Sequence, residues 1–265
     1  MTLPFSLLRA TFAATALLLL GACSTLVQVP ASATRVTLAD AQLGYARVLQ
    51  RHVNAQGEVD FSALRDDASD SGIGALEHYV AAINVTLLDA APTAEARLAH
   101  MINAYNALSM YNVIASNIPR SHDGFAKVQF FVLRKFAIGG SAMSLYAFEN
   151  DIIRKLNDPR VHFALNCSAV SCPALPRVPF TAANLNNELD RETRHFFARQ
   201  QNLRIDAATR TVYFNEILKF YTEDFTPAHA PSLIAYAQKY VPQTIPTDYT
   251  VAFTPYDWTI ANSRR

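Results

Sequence analysis

Cysteine is scarce in this chain of 265 residues, which holds only Cys23, Cys167 and Cys172. The regular spacing His162-x4-Cys167-x4-Cys172 could supply part of a metal site. Structural zinc sites usually add a second pair of ligands, and no second cysteine pair exists to provide it. We therefore expect no metal site, and we assign no cofactor.

Runs of positive charge are also lacking. The sequence has 23 Lys and Arg against 22 Asp and Glu, a formal net charge of +1, and no basic stretch interleaved with aromatic residues. A nucleic-acid-binding surface needs such a concentration of positive charge. We expect no nucleic-acid partner.

Long apolar runs are lacking as well, with one short exception near the N-terminus. Arg9 precedes the run Ala13 to Leu20, which is too short to span a bilayer. The run ends in Leu20-Gly21-Ala22-Cys23, which resembles the cleavage site of a bacterial lipoprotein; a plain secretory signal is the alternative. Ser24 follows in place of an acidic residue, and this implies an outer-membrane protein that faces the periplasm.

The chain is accordingly divided into three parts. Residues 1–22 are predicted to be the lipoprotein signal peptide, and residues 23–36 the acylated Cys23 followed by a short tether. An acyl anchor at Cys23 would make the membrane a partner without a transmembrane helix. Residues 37–265 are predicted to form a single domain, because no repeat or low-complexity segment interrupts them.

The order of predicted elements indicates an α+β fold. Thr37 can cap a helix that runs through His52, and Pro92-Thr93 opens a long helix that continues towards Pro119. Gly139-Gly140 predicts a hairpin turn, and VHFALN at 161–166 predicts a strand. We expect N-terminal helices packed against a mostly antiparallel sheet, with further helices towards the C-terminus.

The stretch VHFALNCSAVSCPAL at 161–175 concentrates the chemistry of the chain. On a regular strand Cys167 and Cys172 would lie about 16 Å apart, whereas the Cα atoms of a disulfide lie about 4.4–6.8 Å apart. A tight loop over Ser168 to Ser171 would let them pair, and in an oxidising compartment such neighbours normally do. One interpretation is therefore a structural disulfide, which we call the clasp.

A second interpretation makes Cys167 a catalytic nucleophile with His162 as its base, because a thiolate attacks carbonyls once its pKa is lowered by an imidazolium. His195 and His229 are more distant bases. If the strand extended to Cys167, the sulfur would face away from His162, so this interpretation needs a bend there. Both interpretations stay open at this level.

Polar residues elsewhere complete the candidate site. Asn103 and Asn106 fall on one face of the long helix, where buried amides either tie the helix to the cysteine loop or line a cleft. Asn166 could orient an imidazole or polarise an acyl oxygen. Glu149 is a candidate cleft carboxylate, with a solvated or salt-bridged position as the alternative.

Four stretches resemble one known family: GEVDF at 57–61, INAYNAL at 102–108, DPRVHFALNCSAVSCPAL at 158–175, and KFYTEDF at 219–225 with YDW at 256–258. The chain is identified on these motifs as similar to the domain of unknown function family 547. His100-Met101 and Phe220 depart from the aromatic residues usual there. The family carries no established activity, and any likeness to papain-like or transglutaminase-like folds is an analogy at the level of fold.

Two functional hypotheses follow. The first is a binding or structural protein of the envelope, with the clasp and a groove for an envelope peptide or protein. The second is a thiol-dependent acyl or amide-bond hydrolase or transferase that acts on envelope peptides. Whether the protein is an enzyme depends on the state of the two thiols.

Overall fold

The computed structural model describes residues 24–263, so the predicted signal peptide and Cys23 lie outside the described residues. Short 3-10 and π-helical turns join the regular elements. The α-helices in this range are α1 (Leu38–His52), α2 (Phe61–Asp66), α3 (Ile73–Val85), α4 (Ala94–Ala115), α5 (Phe125–Val128), α6 (Leu145–Ala147), α7 (Leu185–Ala198), α8 (Ile217–Phe220), α9 (Thr222–Phe225) and α10 (Leu233–Gln238).

The N-terminal helices begin at the predicted caps. The Thr37 side chain accepts a hydrogen bond from the Asp40 amide and so starts α1, which ends at His52 as predicted. Helix α1 packs on α3, where the ring of Tyr45 stacks on that of Tyr79 with centroids 4.6 Å apart. The apolar stripe of α1 therefore faces the core and its charged side faces solvent.

Helix α4 is the central element of the N-terminal half. Thr93 caps its first turn by accepting from the Ala96 amide, and every residue from Leu98 to Val113 is buried. A helix that is buried on all sides carries its polar groups into the core, where each needs a partner. The polar residues of α4 are therefore positions with specific tertiary contacts.

Two three-stranded sheets complete the α+β fold, as the sequence predicts for the fold class. In the first, β2 (Arg134–Ile138) pairs antiparallel with β3 (Ser141–Ser144) across Gly139-Gly140 and parallel with β1 (Thr25–Leu26). Both turn glycines have a positive φ, which is the conformation that a tight hairpin requires.

The second sheet follows the same plan. Strand β5 (Thr211–Asn215) pairs antiparallel with β4 (Leu203–Asp206) and parallel with β6 (Thr250–Thr254). Each sheet is mixed, in place of the one mostly antiparallel sheet expected. The hairpin signals revealed only the local antiparallel pairs, because the third strand of each sheet comes from a distant part of the chain.

The segment 24–36, whose composition suggested a tether, lies against the domain. Residues Thr25 and Leu26 form β1, residues Ala31–Arg35 form a 3-10 helix, and Val27 and Val29 pack against the core. Within the described part of the chain, no helix combines the length and apolarity needed to cross a bilayer.

The predicted strand VHFALN is wrong. Residues Pro159–Phe163 form a 3-10 helix, because Asp158 accepts from the Arg160 amide as its N-cap and Pro159 occupies the first turn. In this helix Val161 packs into one buried cluster and Phe163 into the other. The segment therefore lies between the two clusters and positions the cysteine loop at their junction.

The C-terminal segment crosses the same junction. Isolated bridges join Thr259 to Ser121, Ile260 to Ala169 and Asn262 to Val59. The segment thereby connects the N-terminal helices, the cysteine loop and the second sheet.

Candidate functional site

The two cysteines meet in a tight loop. Their sulfur atoms are 2.08 Å apart and their Cα atoms 6.1 Å apart, as in a disulfide. The loop turns at Ser168, whose φ is 64°, and the Cys172 amide donates to the Ala169 carbonyl over 3.0 Å. The Cys167 amide also donates to Cys172 Sγ over 3.0 Å. The clasp that the sequence offered as one interpretation is present.

Buried asparagines hold this loop in place. Asn106 of α4 donates to the Ala164 carbonyl over 3.0 Å and accepts from the Asn166 amide over 2.8 Å. Asn166 in turn donates to the Pro173 carbonyl over 2.6 Å and accepts from the Ser168 amide over 2.8 Å. Asn106 and Asn166 therefore support the loop from behind.

Asn103 has a different partner from the one expected. Its amide exchanges two hydrogen bonds with the backbone of Phe180, of 2.7 and 3.0 Å, beyond the cysteine loop. Asn103 and Asn106 thus bind two separate segments, one before Cys167 and one after Cys172 in the chain.

The motif GEVDF has a steric explanation. Gly57 has a φ of +78°, and a Cβ built there would lie 2.5 Å from the Cβ of Ala174. The Leu175 amide donates to the Gly57 carbonyl over 3.2 Å. Glycine is required because the backbone after Cys172 passes directly against this turn.

His122 is a support that the sequence did not reveal. Its Nε2 lies 3.1 Å from the Cys167 carbonyl, to which it donates, and its ring contacts Phe130 with centroids 3.9 Å apart. Burial lowers the pKa of His122 to about 4, so its imidazole is neutral near pH 7. A neutral imidazole satisfies the carbonyl without adding charge beside the disulfide.

A cleft of about 50 Å³ opens on the other side of the disulfide. It is lined by Glu149, whose Oε2 accepts from the Tyr105 hydroxyl over 3.0 Å. Burial, followed by the charge of Glu149, raises the pKa of Tyr221 well above its ordinary value. The lining residues are Tyr105, Phe131, Glu149, His162, Leu165, Cys167, Cys172, Pro173, Ile217, Phe220, Tyr221, Tyr256 and Trp258.

Tyr256 connects the cleft to the disulfide. Its hydroxyl lies 2.9 Å from Cys172 Sγ and 3.4 Å from Cys167 Sγ. Neither sulfur of a disulfide carries a hydrogen, so the hydroxyl is the donor. Burial, followed by the charge of Glu149, raises the pKa of Tyr256 well above its ordinary value, and the phenol stays protonated.

A charged network lies behind His162, which lines the cleft. His162 Nε2 lies 2.6 Å from Asp224 Oδ2, and Arg154 donates to both oxygens of Asp224 over 2.6 and 2.8 Å. Burial raises the pKa of Asp224, but hydrogen bonds from His162 and Arg154 outweigh burial, so this pKa lies well below the ordinary value. The ionised carboxylate accepts the proton of His162 Nε2, and the imidazole also stacks on Tyr221 with centroids 4.0 Å apart.

Aromatic rings form the rim. Tyr256 and Trp258 have centroids 4.2 Å apart, and Phe220 stacks on Trp258 at 6.4 Å. Lys127 Nζ lies 3.6 Å from the centroid of the Trp258 ring, in a cation–π contact.

The structure thus brings together four residues that the sequence singled out, because His162, Cys167, Cys172 and Glu149 all line the cleft. The more distant histidines have other partners: His195 pairs with Glu192 and His229 contacts Asn157. Within residues 24–263, no group of three or more His, Cys, Asp or Glu side chains is arranged to hold a metal ion.

The sequence did not assign the aromatic and ionic groups that complete the site. A usable signal existed in the motifs KFYTEDF and YDW, which supply Tyr221, Asp224, Tyr256 and Trp258. Those residues carried the family resemblance, but nothing in their spacing placed them beside the cysteines.

Fold and site together define an α+β domain with a cleft walled by a disulfide and tyrosines. Residues 90–197 match the family model described as "Protein of unknown function, DUF547", and the predicted resemblance is confirmed over this range. No curated protein and no solved structure matches the chain significantly. The matched range includes Tyr105 and Glu149, whereas Asp224 and Tyr256 lie beyond it.

Proposed function

We propose that the protein is a lipid-anchored binding domain of the bacterial cell envelope, attached to the outer membrane and facing the periplasm. Its cleft takes part of an envelope peptide or protein. Concave sites with apolar walls and a few convergent polar groups are the usual ligand sites of proteins, and the cleft around Glu149 has this composition. The sequence Leu20 to Cys23 supports the anchor.

The observation that carries this proposal is the bond between Cys167 and Cys172. Both sulfurs line the cleft, and the Tyr256 hydroxyl donates to one of them. A disulfide in this position fixes the wall of a binding site, and the oxidising envelope maintains it.

The alternative, thiol-dependent hydrolysis or transfer of acyl or amide groups, needs a free thiolate beside a base. Here the Cys167 sulfur is bonded to Cys172, and the Nε2 proton of His162 is donated to Asp224. The alternative would require both reduction of the disulfide and a rotation of His162. The geometry therefore favours binding over catalysis.

Thiol labelling of protein purified from the envelope tests the proposal. Without reductant, we expect iodoacetamide at pH 6 to label neither Cys167 nor Cys172, as followed by mass spectrometry. After reduction, both cysteines should react at the rate of ordinary thiols, whose pKa is about 8.5. The His162→Ala substitution should leave those rates unchanged. Rapid labelling of Cys167 in the untreated protein, abolished by His162→Ala, would establish thiol chemistry instead.

A further inference from the structure

Glu149 is a buried carboxylate that has no counterion among the residues that the structure describes. Its side chain lies in the cleft with the residue only 6% exposed. Throughout residues 24–263 no Lys, Arg or His nitrogen forms an ion pair with it. Arg154, five residues further on, is already paired with Asp224 and Glu223.

The groups that do contact Glu149 leave its charge in place. Tyr105 donates its hydroxyl hydrogen to the carboxylate, and the phenol of Tyr221 also lines the cleft. Burial and the Glu149 charge raise the pKa values of both phenols well above the ordinary value, so they remain neutral donors. Neutral donors do not compensate the charge of a carboxylate, and a buried charge is costly until a charge of opposite sign approaches it.

The aromatic side chains that line the cleft also favour the binding of a cation. Tyrosine and tryptophan faces attract cations through the ring quadrupole, and the rim already shows this chemistry, because Lys127 lies over Trp258. Tyr105, Tyr221 and Tyr256 surround the same carboxylate more deeply.

The size of the cleft limits what can enter. A volume of about 50 Å³ has room for one small group and leaves the remainder of a ligand at the aromatic rim. We infer that the cleft binds a primary ammonium group at the end of a slender alkyl chain, as on a lysine-like residue of a peptide. The ammonium pairs with Glu149, and the alkyl chain lies across the aromatic rim that Tyr256 and Trp258 form. This inference rests on the proposed binding function and names its ligand class.

The experiment uses the single tryptophan of the chain, Trp258, as its reporter. Purified disulfide-bonded protein is titrated with the N-acetyl, C-methylamide derivative of lysine while Trp258 fluorescence is followed. The matched ligand is the norleucine derivative, which keeps the alkyl chain and lacks the ammonium. We expect saturable binding of the lysine derivative and at least about tenfold weaker binding of the norleucine derivative, the effect of losing one charge-assisted contact.

Matched variants locate the charge. Glu149→Gln keeps an acceptor for the tyrosine hydroxyls and removes the charge, so we expect the lysine derivative to bind at least about tenfold more weakly. Asp151→Asn makes the same change at an exposed position of the same segment and should leave binding unaltered.

The outcomes are distinguishable. Equal binding of the lysine and norleucine derivatives to the unmodified protein would overturn the ammonium assignment, and this comparison does not depend on any variant folding. Unchanged binding in a folded Glu149→Gln protein would overturn it too. In either case an intact disulfide would leave the binding function standing, whereas a free, reactive Cys167 would refute that function.

Discussion

At the scale of single residues, Asp224 is the centre of the charged network behind His162. It accepts from His162 and Arg154 while its side chain is only 23% exposed. The free energy of this arrangement depends on the carboxylate being ionised, because the neutral acid cannot accept the same set of charge-assisted bonds.

Asp224→Asn should therefore lower the free energy of unfolding by about 2–3 kcal/mol at pH 7. The folded-state pKa of Asp224 is depressed, so its stabilisation is present above the ordinary carboxyl range and is lost as the pH falls through the folded value. The free energy of unfolding of the variant should approach that of the unmodified protein as the pH drops below about 4. Urea unfolding at a series of pH values measures it.

Glu223→Gln is the control for this change. Glu223 also pairs with Arg154, over 2.8 Å, but its side chain is 68% exposed. Removing an exposed ion pair should lower the free energy of unfolding by less than about 1 kcal/mol. Equal losses in the two variants would show that burial of Asp224 contributes nothing.

Individual residues also show which members of a functional site can be predicted from sequence. The cysteines, His162 and Glu149 carry distinctive chemistry, so they could be selected before their positions were known. Tyr105 and Tyr256 could not, because tyrosine is common in cores and only the tertiary structure decides whether its hydroxyl meets a carboxylate or a sulfur. His122 is similar, since a buried neutral histidine leaves no pattern in the sequence.

At the scale of elements, helix α4 and the cysteine loop form one unit through Asn106. Asn106→Leu would leave the Ala164 carbonyl and the Asn166 amide buried and unpaired. We expect the free energy of unfolding to fall by about 1–3 kcal/mol for each group left without a partner. Urea unfolding measures this change.

The control lies on the same helix. His100 is buried on the face shared with Asn103 and Asn106, but its Nε2 has no hydrogen-bond partner. His100→Leu breaks no hydrogen bond at Nε2, so it should cost much less than Asn106→Leu or should stabilise the protein. If His100→Leu proved equally harmful, packing and not the amide bonds would explain the loss.

Helix starts and hairpins were the predictable elements of this fold. Thr37 and Thr93 mark helix starts through local hydrogen bonds, and Gly139-Gly140 marks a turn through backbone conformation. The segment 161–166 was predicted incorrectly because its β-type composition outweighed the Asp158-Pro159 signal for a helical start. The parallel partners β1 and β6 could not be predicted, since long-range pairing has no local signature.

At the scale of the whole molecule, the cleft is assembled from stretches that lie far apart in the chain. Tyr105 comes from α4, Glu149 from the segment after α6, and Tyr256 from the C-terminal segment. The motifs of the family resemblance include these stretches, but they do not show how the stretches are arranged in space. The sequence could therefore predict that these motifs belong to the functional site. Their positions next to one another depend on the pairing of both sheets and on the bridges of the C-terminal segment.

The proposed lipid anchor would be a property of the whole molecule and has its own test. Cys23→Ser should abolish acylation and move the protein from the membrane fraction to the soluble periplasmic fraction, because each buried acyl methylene is worth about 0.8 kcal/mol. Ser24→Ala, which keeps the cysteine, should remain with the membrane. Persistence of the Cys23→Ser protein in washed membranes, measured by fractionation and mass spectrometry, would rule out the lipid anchor.

The position of β1 has a consequence for how an anchored molecule would search for its ligand. Strand β1 begins at Thr25, and the Val27 amide donates to the Lys135 carbonyl over 2.8 Å, so the chain is fixed to the domain from two residues after Cys23. Two residues span at most about 7 Å. With Cys23 acylated, the domain would diffuse in two dimensions along the membrane surface, and its encounter rate would follow the surface density of ligands rather than their concentration in the periplasmic volume.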